Sequence, residues 1–401
     1  MTWIADAEFA PDRPFGPQTL PYGVLTTGNG PVVAVRVGRH ALPLRDVADQ
    51  LGPRVAELVV GDSLDPLLAA GREAWRELRE RLQAIVTADS APRGANLVRT
   101  DWHTLAMPFT VGDFVDFFAS RHHAENAGRI MSRGSSPLPE NFEYLPLGYH
   151  GRSGTICVSG TDVHRPTGQR KTAGDVQPAF GPTRRLDFEA EVGFVCGGEP
   201  AAQLATGDFA DHVFGAVLIN DWSARDIQSW ESKPLGPLLA KSFATSMSGW
   251  ITPLEALEHA RIPVPPPAHP LQTYLVEDEP WGLDLTLGVR CNETPLAQPR
   301  FEHMAWSAAQ QLAHLTVNGA PVRPGDLFAS GTVSGPEREQ RGCLLELTWG
   351  GSDPITLSDG EQRTFLQDGD RVTLSGSAPG PDGSVVGLGE VTGTVLAAVR
   401  R

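Results

Sequence analysis

Residues 213–245 read VFGAVLINDWSARDIQSWESKPLGPLLAKSFAT. Residues 213–219 form an apolar run, and a run of this kind reads as a strand buried on both faces. It breaks at Asn220 and Asp221 into a segment dense in reactive side chains: Asp221, Arg225, Asp226, Gln228, Lys241 and Thr245. Polar groups at the end of a buried strand are costly to desolvate unless each finds a partner. The segment is therefore either a structural ion network or a site, and the rest of the chain has to decide.

The chain has 401 residues, which suggests two domains or one large domain with an extension. With 43 glycines, 34 prolines and no dominant helical period, it favours many short strands joined by turns, a mostly β (α+β) fold. A net charge of −15 argues against nucleic acid and anionic membranes as partners. Cys157, Cys196, Cys291 and Cys343 show no CxxC spacing, which argues against a zinc site and leaves free thiols as the expectation. The acidic start lacks the apolar core of a signal peptide, and no run approaches a membrane span. A cytoplasmic protein is expected.

The clearest helix covers residues 63–86, with Ser63 as N-cap and Leu64, Leu67, Leu68, Trp75, Leu78, Leu82 and Ile85 on one face. A change of texture near Pro108 divides the chain into 1–108 and 109–401. Residues 163–181 read as a surface loop, 262–270 as a proline-rich surface crossing, and 303–317 as a helix. The C-terminal part reads as short strands, including an apolar one at 344–349 that carries Glu346.

Residues 186–194, LDFEAEVGF, alternate apolar and acidic positions, so Glu189 and Glu191 share one face of a strand. That face either meets water or converges on a divalent cation. Asp116 sits among Phe114, Phe117 and Phe118, and Ser120 is placed to cap a short helix carrying His123. The isolated Glu346 is expensive to bury without a partner, and a histidine would be one: a carboxylate on one ring nitrogen leaves the other as a base. Asp116, Glu189, Glu191 and Asp221 together make an all-oxygen cage for Ca²⁺ or Mg²⁺. Arg225, Gln228 and Lys241 are candidate donors to a developing negative charge. Arg133 and Thr332 are candidates for a substrate carboxylate. There is no G-x-S-x-G elbow and no phosphate loop, which disfavours serine hydrolysis and phosphoryl transfer.

These residues resemble the fumarylacetoacetate hydrolase family nearly end to end. The DWSARDIQ run at 221–228, KSF at 241–243, RPGDL at 323–327 and SGT at 330–332 carry the likeness; LPYGV at 20–24 and GYHGR at 148–152 point to its fumarylacetoacetase branch. The resemblance implies an N-terminal SH3-like barrel with a helical extension, then a C-terminal mixed β-sandwich roll that carries the site and forms a homodimer. It implies Asp116, Glu189, Glu191 and Asp221 as metal ligands, with Lys241 and Thr245 near a magnesium. It implies His123 as base oriented by Glu346, charge stabilisation by Arg225, Gln228 and Lys241, and substrate contacts from Arg133, Tyr149 and Thr332. Phe118 and Ser232 stand at substrate positions where the family often has tyrosine. The implied activity is metal-dependent hydrolysis of the C–C bond of 4-fumarylacetoacetate, a small diketo acid, in tyrosine degradation. The alternative is an acylpyruvate or diketo-acid hydrolase or decarboxylase of the same superfamily. A non-catalytic protein of this fold would have no need to bury so many charges.

Overall fold

The structure is a computed structural model that describes the chain apart from residues 1, 2, 5–9, 11, 103, 132–136, 172, 173, 400 and 401. Arg133, expected to contact substrate, lies outside the described residues.

The Val213–Asp221 strand is buried along its whole length. Val213, Ala216 and Leu218 join one apolar core; Phe214, Val217 and Ile219 join another. Its two-sided burial accounts for the uninterrupted apolar run. It pairs antiparallel with Ala190–Cys196, Thr245–Met247 and Trp250–Pro253. Among the described residues these belong to one 12-stranded sheet. The sheet runs on through Leu327–Ala329 and Phe114–Phe117 to Gly148–His150. A second sheet of five strands contains Thr286–Cys291, Arg371–Pro379 and Val385–Leu396. Leu218, Trp222, Leu287, Leu374 and Leu388 fill the core shared by the two sheets.

The N-terminal strands Tyr22–Thr27, Gly30–Val37, His40–Pro43 and Val98–Arg99 form an antiparallel meander. Its first strand pairs with Trp250–Pro253, so the meander extends the central sheet. Helix Arg72–Val86 covers the second core, and Trp75 meets Phe214 edge to face at 5.4 Å. The single helix expected over 63–86 is two. Asp65–Ala69 is separated from Arg72–Val86 at Gly71, whose φ of +82° does not suit a helix. Ser63 Oγ still accepts the Asp65 N–H at 3.0 Å.

Three other expectations are corrected. Residues 163–181 are not a plain loop: Thr167–Arg170 and Ala179–Pro182 pair as a ladder. The 303–317 helix begins only at Ala308, where Ser307 and Gln310 form a capping box. In the C-terminal part, the Glu346 segment is a short helix, Leu344–Leu347, and the strands of the second sheet reach 9 and 12 residues. No helix among the described residues is long and apolar enough to cross a membrane.

Candidate active site

Three strands bring the four carboxylates together. Asp116 lies in Phe114–Phe117, opposite Ala329 on one side and Tyr149 on the other. Glu191 is in Ala190–Cys196, Glu189 immediately precedes that strand, and Asp221 closes Val213–Asp221. The Asp221 N–H donates to the Glu189 carbonyl at 3.2 Å, which fixes their adjacency. Asp116, Glu189, Glu191 and Asp221 each place an oxygen within 4.8 Å of the others, and all four are buried. The reading in which Glu189 and Glu191 merely face water is thereby excluded.

The cage is short of donors. Neither oxygen of Glu191 has a hydrogen-bond partner, nor does Asp116 Oδ1. Burial first, then Asp221, pushes the Asp116 carboxyl well above the usual carboxylate range, with Lys241 opposing. Glu191 is pushed up by burial and by Asp116, Glu189 and Asp221. Burial acts on Glu189 too, but Arg225, Lys241 and His123 outweigh it and hold that carboxyl low. Orphaned, converging carboxylate oxygens fit a hard divalent cation, with no sulfur or nitrogen in the cage to favour a softer one.

Lys241 Nζ donates to Glu189 Oε2 and, at 2.8 Å, to Asp221 Oδ2. Burial alone would lower its pKa; Asp221 and Glu189 more than offset that, so it stays an ammonium. Thr245 Oγ1 donates to Asp221 Oδ1 at 2.8 Å, and the Tyr149 hydroxyl to Asp221 Oδ2 at 3.0 Å. Tyr149, Asp221, Lys241 and Thr245 line a cleft of about 340 Å³ together with Arg152 and Ser153.

His123 stands on helix Arg121–Met131, whose first turn is capped as expected: Ser120 Oγ accepts the His123 N–H at 3.2 Å. His123 Nδ1 and Glu346 Oε2 are 2.7 Å apart, and Nε2 points toward the cage, 3.8 Å from Glu189 Oε1. Glu346 also accepts from Asn126 Nδ2 at 2.9 Å and Ser334 Oγ at 2.8 Å. Burial pushes the Glu346 carboxyl up, but His123, Asn126 and Cys343 overcome it and hold it at about 2. An ionised Glu346 fixes the proton on Nδ1 and leaves Nε2 free. The Phe118 ring meets the imidazole edge to face at 5.3 Å.

Arg225 opens helix Arg225–Glu231, while Asp221 still belongs to the strand before it. Arg225 Nε donates to Asp187 Oδ2 at 2.8 Å, and Nη1 to Gln228 Oε1 at 3.2 Å. Its Nη2 lies 2.8 Å from Glu189 Oε1, close enough for an ion pair but off the angle of a hydrogen bond. Ser232 caps the C-terminal end of the same helix, and Asp226 turns away to accept the Arg184 N–H at 2.9 Å. Thr332 follows Gly331, whose φ is +75° and where a Cβ would meet the Phe117 carbonyl oxygen at 2.1 Å. That turn leaves the Thr332 hydroxyl buried and without a partner.

Sequence reasoning missed Asp187. Its Oδ1 accepts the Leu344 N–H at 2.7 Å and its Oδ2 the Leu345 N–H at 2.9 Å. It thus holds the first turn of the helix that presents Glu346 and grips Arg225 at the same time. The signal was available: Asp187 is in phase with Glu189 and Glu191 in the alternation. Asn126, three residues after His123 on its helix, and Ser334 were also missed; nothing local marks Ser334.

An acid cage that could hold a metal thus faces a histidine–carboxylate pair, an arrangement suited to activating water. Residues 114–396 match the family model described as fumarylacetoacetate (FAA) hydrolase C-terminal, and residues 18–108 the one described as fumarylacetoacetase N-terminal. The chain is 42% identical to the fumarylacetoacetase of Arabidopsis thaliana, with 96% of each chain covered. It is 39% identical to that of Homo sapiens, covering 100% of this chain and 99% of the relative. Among solved structures, a fumarylacetoacetate hydrolase from psychrophilic Exiguobacterium antarcticum superposes with a TM-score of 0.55 at 16% identity. It covers 94% of this chain and 99% of its own, a likeness of fold. The chain belongs to the fumarylacetoacetate hydrolase family.

Proposed function

We propose that this chain hydrolyses the C–C bond of 4-fumarylacetoacetate to fumarate and acetoacetate, a step of tyrosine degradation. The observation that carries it is the His123–Glu346 pair aimed at the acid cage, in a chain about as similar along its whole length to a plant fumarylacetoacetase as to a human one. Asp116, Glu189, Glu191 and Asp221 would hold Ca²⁺ or Mg²⁺, with Lys241 and Thr245 fixing the carboxylates from outside. Such a cation supplies Lewis-acid charge to a bound 1,3-diketone.

The chain's own residues do the rest. His123 Nε2 takes a proton from water and the hydroxide attacks the carbonyl, while Glu346 stabilises the imidazolium that forms. The Gln228 amide, held through its oxygen by Arg225, offers its N–H groups to the oxyanion. The Lys241 ammonium stabilises the departing enolate, without which carbon is a poor leaving group. Thr332 and Arg133 would bind substrate carboxylate, and Tyr149, Phe118 and Ser232 would shape the pocket. We also propose the division at residue 108, a cytoplasmic location and a homodimer. Exposed Phe180 and Val399 beside a cleft of about 1160 Å³ support the pairing; a monomer mass by light scattering would overturn it.

The test follows the absorbance of the conjugated diketone with purified protein. Loss of signal with Mg²⁺ or Ca²⁺ present is expected, and loss of turnover on chelation. No turnover with metal sinks the activity; full turnover after thorough chelation sinks the metal role.

A further inference from the structure

The His123–Glu346 pair has a third buried neighbour that the reaction does not use. Cys343 Sγ lies 3.1 Å from Glu346 Oε2 and 3.9 Å from His123 Nδ1. An imidazole nitrogen, a thiol sulfur and a carboxylate oxygen thus stand within 4.8 Å of one another. Cysteine spacing along the chain argued against zinc, but the fold assembles a different donor set from residues far apart in sequence. The set differs in kind from the cage beside it. All-oxygen ligands suit hard cations, whereas mixed nitrogen, sulfur and oxygen ligands suit Zn²⁺ and Co²⁺. Asn126 and Ser334 already fix the orientation of Glu346, as outer partners do in metal sites.

We propose that His123, Cys343 and Glu346 form an inhibitory site for Zn²⁺ and similar borderline cations. Binding at Sγ releases the thiol proton to water. Binding at Nδ1 displaces its proton, which relocates to Nε2. One proton leaves in all, and a doubly charged ion with one thiolate and one carboxylate gives a neutral buried cluster. A water, or Ser334 Oγ, completes four ligands. The consequence is chemical: Nε2 now carries hydrogen and cannot take a proton from water. The loss of turnover rests on reading His123 as the base; the metal site itself does not. Of the three ligands Cys343 and Glu346 are fully buried and His123 is 4% exposed, so the ion reaches them past the imidazole and inhibition sets in slowly.

The test loads the oxygen cage with excess Mg²⁺ and titrates Co²⁺. A thiolate-to-cobalt charge-transfer band saturating at one ion per chain is expected, abolished in Cys343→Ser and displaced by Zn²⁺. Serine keeps a donor for Glu346, and each variant's zinc-free rate reports its folding. Zn²⁺ should inhibit with slow onset, and Cys343→Ser should need at least about 10–100-fold more zinc for half inhibition, relative to its own zinc-free rate. No thiolate band, or the same band in Cys343→Ser, overturns the site. Equal zinc sensitivity in both proteins assigns inhibition to the oxygen cage and overturns the proposal. A cobalt band with undiminished turnover overturns the inhibition and, with it, the reading of His123 as base.

Discussion

The four-carboxylate cage and the Glu346 carboxylate are equally shielded from water, yet they are supplied in opposite ways. Glu346 has a partner for each oxygen, from His123, Asn126 and Ser334, and its carboxyl is held at about 2. In the cage, Glu191 has no donor at all, and burial with its neighbours drives Asp116 and Glu191 upward. Burial alone therefore does not set the charge of a carboxylate; the cations and donors around it decide whether burial wins. One region is complete in itself and serves as a fixed orienter. The other is incomplete, which is what a cation site looks like from the protein's side.

Separating the two regions is the strongest way to break this comparison. His123→Ala should lower kcat by about 10²–10⁴-fold. Its melting temperature should still rise on adding Mg²⁺ or Ca²⁺ as the parent's does, because the cage is untouched. If the metal-induced rise vanishes with the activity, the two regions are one unit and the comparison fails.

Asp187→Asn attacks the tie between them. Asp187 holds Arg225 and two N–H groups of the Glu346 helix. Breaking a buried ion pair from one side costs about 3–5 kcal/mol, readable in urea unfolding. kcat should fall as well, because Glu346 loses its helix anchor; a stability loss with kcat unchanged would make Asp187 purely structural.

Acid sharpens the contrast in a third way. The folded-state pKa of Glu346, about 2, is below the roughly 4.3 of an unfolded glutamate. Its contribution is therefore full above about pH 4.3 and is lost as pH falls toward 2, amounting to about 3 kcal/mol at most. Glu346→Gln should flatten the dependence of the unfolding midpoint on pH in that window; parallel curves for parent and variant would contradict the assignment. The smallest effect concerns the wall of the site. Phe118→Tyr restores a hydroxyl and should change KM by about 0.5–1.5 kcal/mol in free energy with kcat nearly constant. A change in kcat alone would place the ring in the chemistry and not in binding.

Much of this was legible in the chain. The apolar run of 213–219 announced a strand buried on both faces, the alternation at 186–194 delivered the carboxylates in phase, and Ser120 marked the start of the His123 helix. Glu346 was recognised as a buried acid in need of a histidine, but its backbone was misread. Leu344–Leu347 has too few residues to display a helical period, and the group that anchors its first turn, Asp187, is 157 residues away from Leu344. The break at Gly71 and the ladder at 167–182 escaped for a related reason: each depends on a turn or pairing that leaves no periodic trace. Local pattern identifies which groups must find partners; only the fold names them.

The pairing of Tyr22–Thr27 with Trp250–Pro253 has a consequence for the chain's solubility. Trp250–Pro253 is joined to the central strand on its other side, and without the N-terminal meander its outer row of N–H and C=O groups would be an open sheet edge. Such an edge invites strands from other molecules. The N-terminal portion therefore acts as a permanent intramolecular cover, and a chain whose first hundred residues failed to dock would present a sticky ribbon just one strand away from Asp221.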